Sequence, residues 1–140
     1  MRNRIAAAAA AALAVVGLGA CSPKPQTPLS STASVTVDGN DAKINVVKCN
    51  QVEWYRTIDI GGDFARATVV VDERVPPLTT MSVRIQNLGG FTGMYSKNDG
   101  GTADTNLNGD KFTITGTADG FKTDNPGEPA SATFKIVATC

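Results

Sequence analysis

Histidine is absent from all 140 residues of this sequence. It is the one side chain that ordinarily changes its charge near neutral pH, and it is a common general base and metal ligand. Its absence removes the serine–histidine and cysteine–histidine pairs that activate nucleophiles, together with a usual ligand of zinc. We therefore predict that the chain is not an enzyme and carries no metal ion or cofactor.

An excess of basic charge is also missing. The 13 lysines and arginines are balanced by 13 acidic residues. Without residues 1–20, Arg2 and Arg4 leave the count, so 11 basic residues remain against 13 acidic ones. A nucleic-acid-binding face needs a basic stripe. An electrostatic membrane patch needs several basic residues close together, but Lys24 is the single basic residue between positions 21 and 33. We expect no nucleic-acid partner.

No apolar run is long enough to span a bilayer as a helix, which takes about 20 residues. The longest run, residues 5–16, follows Arg2 and Arg4 and precedes the small-residue segment 18–20 and Cys21. Basic, apolar and small regions in this order are typical of a bacterial signal peptide that ends in a lipobox. We predict cleavage before Cys21 and attachment of diacylglycerol to its thiol.

This interpretation places the protein at the extracytoplasmic face of the cell membrane or cell envelope, held by buried acyl chains. Two alternatives are a plain secretory signal cut after Ala20 and a permanent N-terminal membrane helix. The alanine-rich stretch 6–12 is only mildly apolar, which argues against the permanent helix.

Cysteine is scarce, and only Cys49 and Cys140 remain besides Cys21. In an oxidising compartment such a pair most often forms a disulfide, and two free thiols are the alternative. By the chain-entropy relation, a loop of this length contributes about 4 to 5 kcal/mol to stability. Alternation in the last strand puts Cys140 on the core-facing side, where the bridge would be buried.

The remaining chain divides into a tether and one folded domain. Residues 21–33 are rich in proline, serine and threonine, a composition typical of an extended, solvated linker. From residue 34 to 140, apolar residues alternate with polar ones, and turn signals recur about every ten residues. No helical spacing of apolar residues is present there. We predict an all-β domain, either a small antiparallel sandwich or a partly open barrel.

The turns can be predicted in more detail. Residues 38–41 read as a turn, and Asn108-Gly109 indicates a type I′ hairpin in which both residues have positive φ. Residues 121–126 suggest one short helical turn. The predicted strands cover residues 34–37, 44–49, 54–60, 64–71, 81–86, 91–95, 102–107, 111–117 and 132–140.

Residues 104–110 resemble the first half of a calcium-binding loop, with oxygen donors at alternate positions and a glycine at the sixth. The twelfth position of that motif requires a bidentate glutamate, but Thr115 stands there. The flanking segments also read as strands, and the hairpin turn accounts for Asn108-Gly109. We therefore do not predict a calcium site.

Two carboxylate pairs, Asp59 with Asp63 and Asp72 with Glu73, are candidates for glycoside chemistry. That chemistry needs a buried acid with a raised pKa across a cleft from a second carboxylate. Asp72 and Glu73 lie near Pro76-Pro77 in a predicted loop, so we expect them to be solvated. Neither pair is predicted to be catalytic.

Ser82 and Ser96 have no nucleophile-elbow motif and no histidine, so a catalytic serine is not predicted either. The aromatic side chains are expected to fill the core. The alternative is that they line a pocket for an acyl chain or another apolar ligand, which would make the protein an envelope carrier. The aromatic residues concerned are Trp54, Tyr55, Phe64, Phe91 and Tyr95.

Several segments together resemble a known protein family. They are residues 37–39, Cys49, 55–60, 114–120, Asn125-Pro126, Pro129 and the closing stretch 134–140, added to the lipobox and the tether. With these features the chain resembles the mycobacterial nineteen-kilodalton lipoprotein antigen family, which is LpqH-like and includes LppE-type members.

The resemblance implies a cell-envelope lipoprotein antigen whose acylated N-terminus is recognised by Toll-like receptor 2 of host cells. It implies that Cys21 is the lipidated residue and that Cys49 and Cys140 form the disulfide. It implies no catalytic residue, because the family has no recognised active site. The expected role of the β domain is interaction or structure.

Overall fold

A computed structural model describes residues 32–140, and every regular element in this range is a β-strand. The predicted all-β fold is confirmed. Within the described residues, no helix has the length and hydropathy needed to cross a membrane. The ten strands are β1 Ala33–Val37, β2 Asn40–Ile44, β3 Val47–Val52, β4 Tyr55–Gly61, β5 Arg66–Asp72, β6 Thr79–Leu88, β7 Phe91–Ser96, β8 Ala103–Asn108, β9 Lys111–Lys122 and β10 Asn125–Thr139.

The strands form one antiparallel sheet that is nearly closed into a barrel. Its order is β2-β1-β10-β9-β7-β6-β5-β4-β3, and β8 pairs with β9 off this path. The two edge strands, β2 and β3, follow each other in the chain with only Asn45 and Val46 between them. Gly61 donates its N–H to the Val46 carbonyl over 2.9 Å across this bend. The segment 40–52 therefore acts as one bent strand that joins both sides of the sheet.

The core lies on the inner face of the barrel, where every second residue of the strands is buried. This is the period that a pleated strand imposes on its side chains. Burial of each large apolar side chain stabilises the fold by about 1.5 to 3 kcal/mol. The largest side chains that are almost fully buried are Phe91, Phe112, Ile58, Ile60, Ile85, Ile114, Ile136, Val35, Val37, Val69, Val71 and Val83.

Two hairpin turns differ in detail from their predictions. The first consists of Asp38 and Gly39 alone, because Asn40 already pairs with Val37. The φ angles of Asp38 and Gly39 are 46° and 80°, and two positive values are typical of a type I′ turn. In the β8–β9 hairpin, Asn108 pairs with Lys111, so the central residues are Gly109 and Asp110. Only Gly109, at 66°, has a positive φ. The hairpin is confirmed, but the predicted type I′ geometry is wrong, since a positive φ at the first position alone is typical of type II′.

The predicted helical turn at residues 121–126 is wrong. β9 continues to Lys122 and β10 begins at Asn125, which pairs with Lys122 across a two-residue turn. Thr123 donates its N–H to the Gly90 carbonyl at 2.9 Å, a bond that no helix would use. The register then shifts before Pro129, in a stretch where proline has no N–H to give to the ladder. Hydrogen bonds to other strands therefore determine the conformation of residues 121–126, although the local sequence suggested a helical turn.

Candidate functional site

One end of the barrel, called here the entry end, receives the chain as it enters the described region. Thr139 donates its N–H to the Thr32 carbonyl at 3.4 Å, and Cys140 donates to the Asp110 carbonyl at 2.9 Å. Because all neighbouring strands are antiparallel, the β3–β4 and β5–β6 connections lie at this end too. The entry end is defined by Thr32, Cys140 and the β3–β4, β5–β6 and β8–β9 connections.

The predicted disulfide between Cys49 and Cys140 is confirmed, with 5.9 Å between the two Cα atoms and 91 residues of sequence separation. It links the middle of β3 to the residue after β10, at the entry end. Both half-cystines are partly buried against the core, so the bridge is more exposed than predicted. Cys21, the predicted lipidation site, the signal peptide and most of the tether lie outside the described residues, and those predictions stay predictions.

A polar cluster that sequence reasoning missed covers the core at the entry end. Arg56 shares the inward face of β4 with Ile58, and its Nε donates to Glu73 Oε1 at 2.7 Å. Its Nη2 donates to Gln51 Oε1 at 2.7 Å, and Gln51 Nε2 donates to Glu73 Oε2 at 3.2 Å. The guanidinium carbon lies 5.5 Å from the centroid of the Phe112 ring. The cluster therefore covers the core at this end with polar side chains that are hydrogen-bonded to one another.

Asp72 and Glu73 are not the solvated loop carboxylates of the prediction. Asp72 ends β5 and accepts hydrogen bonds from the side chain and the backbone N–H of Arg74, which lower its pKa to about 2. Glu73 is engaged by Arg56, and only 16% of its side chain is exposed. A general acid at neutral pH needs a raised pKa, whereas the shift at Asp72 runs the other way.

The other two candidate carboxylates also take part in contacts with neighbouring side chains. Asp59 accepts a hydrogen bond from Thr68 Oγ1 at 2.9 Å on the outer face, and Asp63 pairs loosely with Arg66 at 3.4 Å. Ser82 and Ser96 lie opposite each other on β6 and β7. This pairing supplies no base to activate either hydroxyl.

The segment that resembles a calcium loop lies on strand β8 and its hairpin turn. Asp104, Asn106 and Asn108 are exposed and lie two residues apart on an extended strand. Such residues are roughly 6 to 7 Å apart, so their oxygens spread along the strand instead of converging on one ion. Among the described residues, no group of three or more potential metal ligands of the His, Cys, Asp or Glu type comes together.

The predicted aromatic core is partly right. Phe91 and Tyr95 are 2% and 8% exposed and belong to the core. Trp54 and Phe64 are 58% and 81% exposed, so their assignment to the core is wrong. Both lie in connections at strand ends, where a side chain has no facing strand to cover it.

A shallow groove lies outside the barrel, between β6, β7 and β9, with a volume of about 310 Å³. Met94 and Phe121 supply its apolar surface, with Arg84 and Asp119 as charged groups. The barrel interior, in contrast, is occupied by its own buried aliphatic and aromatic side chains. An apolar ligand of this domain would therefore bind on the outer surface, where this groove is one candidate site.

Comparisons with known proteins show which sequences this chain is similar to. Residues 26–140 match the family described as Mycobacterium 19 kDa lipoprotein antigen. A "Putative lipoprotein" of Mycobacterium avium subsp. hominissuis is 59% identical over 140 residues, covering all of this chain and 97% of the relative. The "Probable lipoprotein LppE" of Mycobacterium tuberculosis is 32% identical over 144 residues, covering both chains fully. The "Lipoprotein LpqH" of Mycobacterium bovis BCG is 32% identical over 157 residues, covering 99% and 98%.

Proposed function

Since the chain belongs to the Mycobacterium 19 kDa lipoprotein antigen family, we propose that acyl chains on Cys21 anchor it at the extracytoplasmic face of the cell envelope. In this proposal the β domain is non-catalytic and acts in interaction or structure. The acylated N-terminus is the part that host Toll-like receptor 2 recognises. The predicted resemblance to the family is confirmed, and the anchoring residue, the receptor and the lack of catalysis are proposed.

The observation that carries the proposal is the lipobox, residues 18–21, in a chain whose relatives named as lipoproteins match along its whole length. Small residues before a cysteine, after a basic and an apolar region, are what lipoprotein processing requires. Acyl chains then hold the protein through about 0.8 kcal/mol per buried CH₂ group.

The described residues support a non-catalytic domain. The adjacent carboxylates Asp72 and Glu73 form ion pairs with Arg74 and Arg56. The interior of the barrel is filled by side chains, and the polar cluster closes it at the entry end. In this proposal the function is therefore carried by the outer surface of the β domain and by the acyl chains.

The test replaces the proposed acylation site. Cys21→Ser, expressed in a mycobacterial host fed labelled fatty acid, is expected to lose the label and to move from the detergent phase to the aqueous phase. It is also expected to lose stimulation of reporter cells that carry Toll-like receptor 2. Ser22→Ala is the matched control and should keep all three properties. A Cys21→Ser protein that still stimulates the receptor would contradict the anchor-centred function.

A second candidate function is binding of an amphipathic molecule in the outer groove. Its 310 Å³ lies at the lower end of ligand-pocket volumes, and Arg84 and Met94 offer a cationic and an apolar contact side by side. Native mass spectrometry of the purified protein tests this function. A co-purified lipid that is absent from Met94→Asp would support it, and a mass that corresponds to the acylated chain alone would exclude a tightly held ligand.

A further inference from the structure

The entry end carries a cluster of large apolar side chains that face water. Among the described residues, eight large hydrophobic side chains are exposed, and four of them lie at this end. Val52, Trp54 and Val75 are 71%, 58% and 71% exposed, and Leu107 beside the β8–β9 turn is 42% exposed. Val52, Trp54 and Val75 are called here the apolar rim. We propose that the apolar rim rests in the lipid–water interface of the membrane that carries the anchor.

The apolar rim belongs to two adjoining connections. Tyr55 pairs with Asp72 at the ends of β4 and β5, so the β3–β4 turn and the β5–β6 loop lie side by side. Glu73 donates its N–H to the Trp54 carbonyl over 2.8 Å and ties the two connections together. The relative positions of the two connections that carry the apolar rim are therefore determined by strand pairing and by this hydrogen bond.

The apolar rim is at the end of the barrel where the chain that follows the proposed anchor enters. The chain arrives at Thr32, which pairs with Thr139 beside Cys140. Cys140 is bonded to Cys49, three positions before Val52 on β3. The hairpin tip thus extends past the disulfide, at the same end of the barrel as Thr32, the first described residue.

The chain between the anchor and the barrel limits how far the domain can stand from the membrane. From Cys21 to Thr32 is eleven residues, and a fully extended chain covers at most about 3.6 Å per residue, or roughly 40 Å. Because the chain enters at the entry end, this length of chain is enough to bring the apolar rim to the lipid. This inference rests on the proposed function, since it takes Cys21 as the attachment point.

The chemistry of the apolar rim suits a lipid interface. Tryptophan has an apolar ring and a polar N–H, which favours the boundary between acyl chains and headgroups. The charges close by are of both signs, because Glu53 stands between Val52 and Trp54 and Arg74 is paired with Asp72. Attraction to the membrane is therefore apolar in origin, and added salt should leave it nearly unchanged.

The experiment uses Trp54, the single tryptophan of the chain, as its own reporter. The mature chain, residues 21–140, is coupled through the Cys21 thiol to a maleimide phospholipid in phosphatidylcholine vesicles. Part of the lipid carries brominated acyl chains, which quench tryptophan only on contact. We expect a blue-shifted Trp54 emission, quenching by the bromolipid and protection from iodide in the water.

Substitutions in the apolar rim test its apolar character. Val52→Asp with Val75→Asp is expected to reduce the bromolipid quenching roughly tenfold, because a carboxylate at each position opposes entry into the interface. Phe64→Ala removes a more exposed aromatic ring in the β4–β5 connection, at the opposite end, and should leave the quenching unchanged. Circular dichroism confirms that all variants keep their β structure.

Three results would overturn the inference. Trp54 in the tethered protein could remain open to iodide and untouched by bromolipid. Phe64→Ala could lower the quenching as much as the rim variant does. Trp54 could become protected in lipid-free protein as the concentration rises, together with a dimer in sedimentation, which would make the apolar rim a contact between copies. Because the tether is chemical, none of these results depends on whether cells acylate Cys21.

Discussion

At the scale of single residues, the most consequential side chain is Arg56. The alternation of β4 puts it on the inward face with Ile58 and Ile60, where a charge would ordinarily be costly. Its side chain is 23% exposed, and its guanidinium is paired with Glu73, which is 17 residues away in the sequence. The sequence shows that Arg56 shares a face with isoleucines, but only the register of β4 and β5 shows which anion meets it.

This pairing predicts the effect of removing the carboxylate. Glu73→Ala leaves the partly buried guanidinium of Arg56 without its anion, and we expect the free energy of unfolding to fall by about 1 to 3 kcal/mol. Chemical denaturation followed by Trp54 fluorescence measures the change.

Asp63→Ala is the matched control for the Glu73 variant. It breaks the pair with Arg66, whose atoms are 3.4 Å apart and whose Asp63 side chain is fully exposed. Such exposed pairs contribute little, so a change within about 0.5 kcal/mol is expected. Equal losses in the two variants would show that the polar cluster at the entry end has no special role.

At the scale of elements, alternation was a reliable guide because most residues on the inner face of the sheet are apolar. It predicted the existence of most strands but not their ends. The proposed strand 44–49 is divided by the bend at Asn45 and Val46, and β10 begins at Asn125, seven residues before its predicted start. Strand ends depend on hydrogen-bond partners from distant strands, which a local pattern does not contain.

Strand β9 also has a requirement for small residues that alternation did not indicate. One edge of β9 pairs with β8 over its first half and with β7 near its end, so backbones crowd at Gly116 and Gly120. A Cβ on Gly120 would collide with the Thr92 carbonyl and with the backbone of Gly93. These glycines are required by the close approach of strands rather than by a left-handed conformation.

Gly120→Ala is therefore expected to destabilise the fold by about 2 kcal/mol or more, because the obstructing atoms are backbone. Gly62→Ala is the control, since a Cβ there meets no atom within 4 Å and the residue has no positive φ. Thermal unfolding of both variants measures the difference. A Gly120→Ala protein as stable as the Gly62→Ala protein would show that β7 and β9 can separate without cost.

At the scale of the whole molecule, closure of the barrel depends on two long-range links. The bent segment 40–52 connects the two edges of the sheet, and the Cys49–Cys140 bridge fixes β3 against the end of β10. A closed sheet leaves few unpaired edges for aggregation. The disulfide adds stability mainly by restricting the unfolded chain, more so for a long loop.

Removal of the disulfide gives the largest expected loss of stability. With a sequence separation of 91 residues between the two cysteines, Cys49→Ser with Cys140→Ser is expected to lower the free energy of unfolding by about 4 to 5 kcal/mol. Denaturant titration of this variant, beside the native protein with and without reductant, measures the loss. Reduced native protein should match the double variant, and an unchanged midpoint would show that the barrel closes without the bridge.

The sequence by itself determined the class of fold, the pairing of the two remaining cysteines and the family, because each depends on residue types and local periodicity. Tertiary structure alone decided the closure of the sheet, the polar cluster of Arg56 and Glu73, and the exposure of Trp54 at the entry end. These features depend on which distant strands become neighbours. The pairing of distant strands is decided by the packing of the whole chain, and no local stretch of residues contains that information.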